Sequence, residues 1–452
     1  MSMRPLLRLL LCLLAPLVAG RDAEAQQDQR CLFEIDFIGD TGRVVTPPGT
    51  TQVNYYAGGG VRFSCRGTAV RMSADSVASI DGGRVVYFVG KVRYRDSTVT
   101  LDADQGTYYK DGERWEARGR VKTANLRSGS TLTGPSVDYY RPVVGLRDTT
   151  EVVAVGRTTV KYLAKDDSTA KGAATAATPA AEPYVITSDR LRMRGDERIW
   201  AAGAVTVRRS DLDAAADSMA LDTSGGWQEG VLIGRRPRFK AMARDTFELL
   251  GGRIDFGMDR RELRVVTAIG QAEAISAERT LTGHVIRLHL RDRAPRRSIA
   301  WSRSVRATAD GPAYAAKGDS LTFFSPDEAL TQVVASGHGW VGARVDSVSS
   351  ERDWISGDTV VAFFRQLNDE TSLRQLIAER DAKAYYRGAG DGKAAGSLAY
   401  VRGDRITVTM QKDRDDVETV DVRGHVDGVR LEPKTAGSTG LPPIAAPPGR
   451  PS

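Results

Sequence analysis

Aspartates recur through the sequence at a regular phase, where carboxylates could take part in acid–base chemistry. They stand at Asp75, Asp104, Asp189, Asp217, Asp255, Asp319 and Asp404. Paired carboxylates are the catalytic groups of glycoside-cleaving enzymes, so one hypothesis is a carbohydrate-active enzyme. However, one Asp per repeat is also what a turn requires, because its side chain can satisfy nearby backbone N–H groups. We favour this structural interpretation.

The other motifs that could do chemistry are isolated. Gly337–Gly342 reads Gly-His-Gly-Trp-Val-Gly and matches the dinucleotide fingerprint by letters. It continues into an alternating strand pattern, so no helix N-terminus follows to bind a phosphate. His284 and His289 are five residues apart and would face opposite sides of a strand, where they cannot share a metal. We therefore predict no catalytic residues, no metal site, no cofactor and no enzymatic activity.

The N-terminus has the pattern of an export signal. Arg4 and Arg8 precede and interrupt an apolar run, and Ala23 and Ala25 provide small residues before a cleavage point. This pattern predicts a cleaved signal peptide over residues 1–25. The apolar run is too short and too interrupted for a comfortable transmembrane helix. We expect an exported chain.

Two cysteines follow the predicted cleavage point, Cys31 and Cys65. In an oxidising compartment they could form a disulfide that closes a loop of about 35 residues and stabilises the fold by about 3–4 kcal/mol. The alternative is two small buried side chains without a bond. We favour the disulfide, because both residues lie at strand-like edges of one segment.

Composition restricts the class of protein. The 452 residues carry 64 basic and 57 acidic side chains, a net charge of +7 that is spread thinly. Nucleic-acid-binding proteins concentrate positive charge in a patch, so we predict no nucleic-acid partner. The 46 glycines fit many turns better than long helices.

The middle of the chain repeats at an interval of about 30 residues. Asp75 precedes Gly90-Lys91-Val92, and 29 residues later Asp104 precedes Gly119-Arg120-Val121. Apolar and polar residues alternate within each unit, which is typical of half-buried strands. The pattern predicts an all-β solenoid of about ten two-strand rungs. Only 212–221 and 371–380 are compatible with short helices.

The same pattern predicts the domain organisation. Residues 26–163 form a first β part, and residues 184–432 continue the repeat. An Ala-rich flexible insert (164–183) separates them, and a Pro-rich disordered tail (433–452) ends the chain. The inward residues are mostly Val, Ile, Leu and Ala, which suit either an ordinary dry core or a lining for acyl chains. Packing alone favours the dry core, since most buried aliphatic side chains are core residues.

Residues 90–123, GKVRYRDSTVTLDADQGTYYKDGERWEARGRVKT, resemble the OstA-like family (LptA and the N-terminal domain of LptD) of periplasmic lipopolysaccharide-transport proteins. The resemblance rests on Gly90-x-Val92, Leu101-x-Ala103-Asp104 with Tyr108-Tyr109, Gly119-x-Val121 and Asp138-Tyr139-Tyr140. It is strongest over about residues 60–163 and weaker over 184–290.

The resemblance implies a β-jellyroll or β-taco that holds lipid A acyl chains between two sheets without any reaction. It also implies a periplasmic location, with association to the outer membrane as a further expectation. The partners implied are lipopolysaccharide or a related glycolipid, and other transport proteins or further copies that pair through edge strands. The predicted lipid-binding residues are the inward apolar positions Phe88, Val92, Tyr94, Val99, Leu101, Trp115, Val121, Leu191, Ile199, Val205, Ile286 and Leu288.

The chain departs from the family in its length and in its Pro-rich tail. Three hypotheses of different classes remain. The first is a periplasmic lipid-transport bridge, and the second is a secreted β-solenoid adhesin or envelope scaffold with a dry core. The third is a carbohydrate-active enzyme. An apolar groove would favour the first, a closed core the second, and an off-repeat cluster of acids the third.

Overall fold

The computed structural model describes residues 31–163, 182–242, 246–259, 262–344, 352–367, 370–387, 397–412 and 417–432. These residues form 28 β-strands and one short 3-10 turn (Asp81–Gly83), and none of them lies in an α-helix. The all-β prediction is confirmed. The predicted signal peptide, residues 164–181 of the predicted insert, and the predicted tail lie outside the described residues.

The chain divides between Gly156 and Arg157 into two compact units, called unit 1 and unit 2. Unit 1 contains β1 (Phe33–Ile38), β2 (Thr41–Val45), β3 (Asn54–Cys65), β4 (Arg71–Ile80), β5 (Val85–Arg95), β6 (Val99–Tyr109), β7 (Arg114–Asn125) and β8 (Thr131–Tyr140). From β3 to β8 each strand pairs antiparallel with the next, and β1 and β2 both pair with β3. Strand β9 (Glu151–Tyr162) crosses the division.

Unit 2 continues the antiparallel pattern. Its strands are β10 (Tyr184–Arg194), β11 (Arg198–Arg209), β12 (Leu212–Asp222), β13 (Trp227–Ile233), β14 (Arg238–Ala241), β15 (Phe247–Leu250), β16 (Arg253–Asp259), β17 (Glu262–Ser276), β18 (Thr280–Arg291), β19 (Ala294–Trp301), β20 (Ala307–Asp310), β21 (Tyr314–Gly318), β22 (Ser320–Phe324), β23 (Gln332–Arg344), β24 (Arg352–Leu367), β25 (Glu370–Arg387), β26 (Leu398–Met410), β27 (Val417–Arg423) and β28 (Asp427–Leu431). Several long strands pair with two short ones: β12 pairs with β13 and β14, and β17 with β15 and β16.

The disulfide predicted between Cys31 and Cys65 is present, with the two Cα atoms 5.0 Å apart. It joins Cys31, two residues before β1, to Cys65 at the end of β3, the strand that pairs with β1. Both cysteines are buried. The bond therefore fixes the N-terminal edge of unit 1.

Most long strands bend at a β-bulge near their middle, and this bulge explains the sequence repeat. In the pairing of β6 with β7 the register shifts between Asp102 and Gln105, and Gly119 at the shift has φ +92°. A Cβ added to Gly119 would lie 2.5 Å from Asp104 Oδ2, so only glycine fits. The backbone N–H of Arg120 then donates to Asp104 Oδ2 at 3.1 Å. The same Asp–Gly contact recurs at Asp75–Gly90, Asp189–Gly203, Asp217–Gly234, Asp319–Gly337 and Asp404–Gly424.

The structure changes two details of the predicted repeat. The recurrent aspartates were predicted to serve turns, whereas Asp75 and Asp104, for example, lie inside β4 and β6 and contact the bulge of the next strand. Asp255 departs from the pattern, because Gly270 lies against Gly252 instead and Asp255 pairs with Arg253. Two of the recurrent aspartates accept from backbone N–H groups, as predicted: Asp104 from Arg120 at 3.1 Å and Asp217 from Arg235 at 2.9 Å.

The two segments compatible with helices are strands. Residues 212–221 lie in β12 and residues 371–380 lie in β25. Alanine-rich sequence favours a helix locally, but β12 has hydrogen-bonded partners on both edges, β11 on one and β13 with β14 on the other. Pairing with neighbouring strands therefore outweighs local propensity here.

Candidate functional site

The interior of unit 1 is filled by aromatic side chains. Trp115 is fully buried, with its ring centroid 4.9 Å from Phe88, 5.0 Å from Tyr94 and 5.5 Å from Tyr108. Phe63 extends the cluster, 5.9 Å from Phe88. Rings at these distances pack as in a protein core.

A buried carboxylate anchors one part of this core. Asp96 accepts hydrogen bonds from the hydroxyls of Tyr94 and Tyr139 at 2.8 and 2.9 Å, and from the backbone N–H groups of Thr98 and Val99 at 2.7 Å. Burial by itself would raise the pKa of Asp96, but these hydrogen bonds stabilise the charged form and lower the pKa below its ordinary value. The cluster is thus a satisfied structural network.

A second buried carboxylate ties the N-terminus to this core. Glu113 accepts from the backbone N–H of Cys31 at 2.9 Å and from Arg141 Nη1 at 2.7 Å. Because Cys31 is also bonded to Cys65, the disulfide and the ion pair hold the same point of the chain. The aromatic contacts, hydrogen bonds and ion pair in the interior of unit 1 all stabilise its folded structure.

Unit 2 differs, because its interior contains a cavity of about 320 Å³. The walls come mainly from β10 to β14, β16 and β17, with Tyr162 of β9. Their buried apolar residues at the cavity include Ile186, Val207, Ala214, Met219, Leu232 and Phe239. A mostly apolar space of this size falls at the lower end of ordinary ligand sites.

The lining follows from strand alternation combined with small side chains. On β12, Ala214 and Met219 point inward and are buried, while Asp217 between them is exposed. Ala241 on β14 adds a second alanine to the wall. Unit 1 has Trp115 and Phe88 inside, whereas Ala214 and Ala241 carry only methyl groups, and so the facing strands leave a space.

Charged side chains stand where the cavity opens. Arg293 lines the cavity although its side chain is 66% exposed, and its Nη1 lies 3.6 Å from Asp211 Oδ2. Arg209 Nη2 donates to Asp211 at 2.7 Å, and its guanidinium carbon lies 4.2 Å from the Tyr184 ring centroid. Burial would raise the pKa of Asp211, but the hydrogen bond and charge of Arg209, with Arg293, lower it below its ordinary value. The opening thus holds an ionised carboxylate between two guanidinium groups.

This arrangement could bind a ligand that has both an apolar and a polar part. The apolar walls suit a hydrocarbon chain, and the guanidinium groups at the opening suit its polar end. Within the described ranges, no group of three or more His, Cys, Asp or Glu side chains is placed to hold a metal ion. None of the described residues forms a helix long and apolar enough to cross a membrane.

The twelve predicted lipid-binding residues are all buried, as their inward alternation implies. Seven lie in unit 1, where Phe88, Tyr94 and Trp115 pack against one another. The other five lie in unit 2, and none of the twelve lines the cavity described above. Their part in lipid binding stays a prediction, and the cavity residues were missed. The signal for them was the run of alanines in β12, which we interpreted as compatible with a helix.

The isolated motifs lie within strands. Gly337–Gly342 lies inside β23. Gly337 makes the Asp–Gly contact with Asp319, and the Nδ1 of the next residue, His338, lies 3.7 Å from Asp319 Oδ2. His284 and His289 both lie on β18. Partial burial, with Arg287 and Arg297 nearby, lowers the pKa of His289. These residues belong to the sheet framework.

Comparisons with known proteins do not assign the chain to a family. No family model matches the chain, and no curated protein matches its sequence. Among solved structures, the chain is similar to LptH of Pseudomonas aeruginosa, described as the LptA-homologous periplasmic component of the lipopolysaccharide transport device. The likeness has a TM-score of 0.20 and 16% identity, and it covers 24% of this chain and 73% of that one. It is too short to establish a shared fold.

Proposed function

We propose that the protein is an exported lipid-binding protein that holds an acyl chain in the cavity of unit 2 and catalyses no reaction. The observation that carries the proposal is the mostly apolar cavity itself, whose charged lining residues are Arg209, Asp211, Glu262 and Arg293. A protein interior is normally packed to high density. A space lined by Ala214, Met219 and Leu232 is therefore a departure that a hydrocarbon ligand explains.

The volume sets the size of the ligand. A methylene group occupies about as much space as one water molecule, about 30 Å³, so the cavity holds a chain of about ten carbons. Burying each methylene is worth about 0.8 kcal/mol, or about 8 kcal/mol for ten before the costs of binding. A single chain of this length would thus bind with useful affinity.

The finer proposal is that the lipid is lipopolysaccharide and that the protein acts in its transport across the periplasm. It is supported by the resemblance of residues 60–163 to the OstA-like family. The predicted signal peptide and the Cys31–Cys65 disulfide fit export to an oxidising compartment. The cavity would take one acyl chain of lipid A, while the remaining chains would lie against neighbouring surface.

Pairing through edge strands is part of this proposal. Among the described residues of unit 1, β1 and β2 each pair on one side only, with β3. In the described part of unit 2, β27 and β28 each pair only with β26, and all residues of β28 are exposed. Such edges can extend a sheet by adding a strand from another chain, which would join copies or partner proteins into a bridge.

Native mass spectrometry of the purified full chain with added lipopolysaccharide tests the proposal. We expect a one-to-one adduct with the wild type and its loss in Ala214→Phe, which fills the cavity. Ala215→Phe is the matched control, because its side chain points to the other face of β12 and should leave the adduct intact. Absence of an adduct with a folded wild type, or an adduct in both variants, would contradict lipid binding in the cavity.

A second candidate is the envelope scaffold, and the filled core of unit 1 favours it. Trp115, Phe88 and Tyr94 leave no room for a ligand between them. If the wild type binds no lipid, the cavity is a packing defect and the scaffold becomes the better account.

A further inference from the structure

The outer face of unit 2 carries a second concave site, separate from the acyl-chain cavity. It is a groove of about 590 Å³ bordered by Trp200 and Trp227, whose side chains are 38% and 47% exposed. The floor is made of small or short residues, Ala220, Val231 and Gly257. We call this surface the tryptophan groove.

Trp227 packs against the sheet in the groove. A Cβ added to Gly257 would lie 2.3 Å from the indole ring, so the ring rests directly on that part of β16. Its Nε1 donates to Glu229 Oε1 at 3.0 Å, which helps to hold the ring in place. The residue is 47% exposed, so part of the ring faces solvent. Two partly exposed tryptophans that border one groove form an apolar surface of the kind that marks binding sites.

The rim offers both hydrogen-bond donors and acceptors with almost balanced charge. Arg198 Nε donates to Asp222 at 2.9 Å, and Arg253 Nε donates to Asp255 at 2.8 Å. Together with Glu229, the rim has two guanidinium groups and three carboxylates. A strongly anionic ligand such as a nucleic acid finds no surplus positive charge here.

The floor excludes a peptide added as a strand. β11, β12, β13 and β16 each have hydrogen-bonded neighbours on both sides. Their backbone groups are therefore occupied, and β-augmentation needs a free edge.

We propose that the tryptophan groove binds a neutral glycan. Sugar rings have C–H faces that stack on an indole, and their hydroxyl groups both donate and accept, which matches a rim of paired guanidinium and carboxylate groups. The ligand is a free neutral oligosaccharide. The proposal does not depend on lipid binding, because the groove and the cavity lie on opposite faces of β12 and β13.

Isothermal titration of the full chain with lipid-free neutral hexasaccharides, one of glucose and one of N-acetylglucosamine, tests this inference. We expect saturable binding by at least one of them, and loss of about tenfold or more in affinity for Trp227→Ala, in line with one aromatic stacking contact. Glu229→Gln, which weakens the hold on the indole, should reduce affinity by a smaller factor. Trp301→Ala, outside the groove, is the control and should bind as the wild type does.

The outcomes separate the two proposals. Ala214→Phe should keep glycan binding, and Trp227→Ala should keep the lipid adduct. Binding only of whole lipopolysaccharide, only of anionic hexasaccharides, or equal binding by wild type and Trp227→Ala would each overturn the neutral-glycan site. Failure of both neutral hexasaccharides to bind the wild type at millimolar concentration would do the same.

Discussion

Unit 1 and unit 2 use the same structural element and fill its interior differently. Both are built from antiparallel strands that bend at an Asp–Gly contact, as at Asp104–Gly119 in unit 1 and Asp189–Gly203 in unit 2. In unit 1 the inward positions include Trp115 and its neighbouring rings, and in unit 2 alanines such as Ala214 leave a cavity. The bend thus sets the framework, while the size of the inward side chains decides whether the interior is a filled core or contains a cavity.

The largest expected effect is on the filled core. Trp115→Ala should reduce the free energy of unfolding of unit 1 by about 4 kcal/mol, because the ring loses all its contacts and leaves a cavity. Phe239→Ala in unit 2 should cost less, since one side of Phe239 already faces the cavity and has fewer contacts to lose. Urea unfolding followed by hydrogen exchange within each unit measures both. Equal losses of unfolding free energy in Trp115→Ala and Phe239→Ala would contradict the proposed difference between a filled interior in unit 1 and a cavity in unit 2.

The disulfide gives the next largest effect and concerns unit 1 alone. Replacing Cys31 and Cys65 together by serine should cost about 3–4 kcal/mol by the loop-entropy estimate. We expect faster amide exchange in β1 and β3 and unchanged exchange in β12. Faster amide exchange in the cavity strands would show that the disulfide also stabilises unit 2.

The buried Asp96 should make unit 1 sensitive to acid. Its pKa is lower in the folded state than the unfolded value of about 3.9, so its ionised form stabilises the fold above about pH 4. That stabilisation is lost as the pH falls through the folded pKa. Asp96→Asn should cost about 2–3 kcal/mol at pH 7, because five donors lose a charged acceptor. Unfolding curves at pH 7 and pH 3 should show a smaller difference for the variant than for the wild type.

A matched pair of substitutions gives the smallest effect and tests the comparison itself. Ala117→Leu in unit 1 should cost about 1–3 kcal/mol, because that position is fully buried in a packed core. Ala214→Leu in unit 2 should change stability by less than about 1 kcal/mol, because the added methyl groups enter existing space. Thermal unfolding of the two variants is sufficient. A larger cost at Ala214 would mean that the cavity is not available space.

The sequence predicts the strands and the inward faces well. Alternation placed Phe88, Leu101 and Ile286 inside, and all three are buried. It also predicted the structural use of the recurrent Asp, although the cross-sheet contact with glycine was not visible in a linear pattern. The bulge brings Asp104 to Gly119 from neighbouring strands, and only the register defines that pair.

The cavity could not be predicted in the same way. It depends on how much volume Ala214, Ala241 and their facing residues leave between strands that are distant in sequence. Each alanine alone is compatible with a packed core, and the Ala-rich stretch of β12 also resembles a helix. The charged opening combines residues as far apart as Arg209 and Arg293, which no local pattern connects.

Photo-crosslinking with lipopolysaccharide tests the central claim most directly. Photoreactive methionine incorporated throughout the chain places one probe in the core of unit 1, Met72, and two at the cavity of unit 2, Met219 and Met258. Our account predicts lipid crosslinks at Met219 and Met258 and none at Met72. Crosslinks at Met72 equal to those at the cavity, or at Met72 alone, would show that lipid enters the interior of unit 1 and would contradict the account.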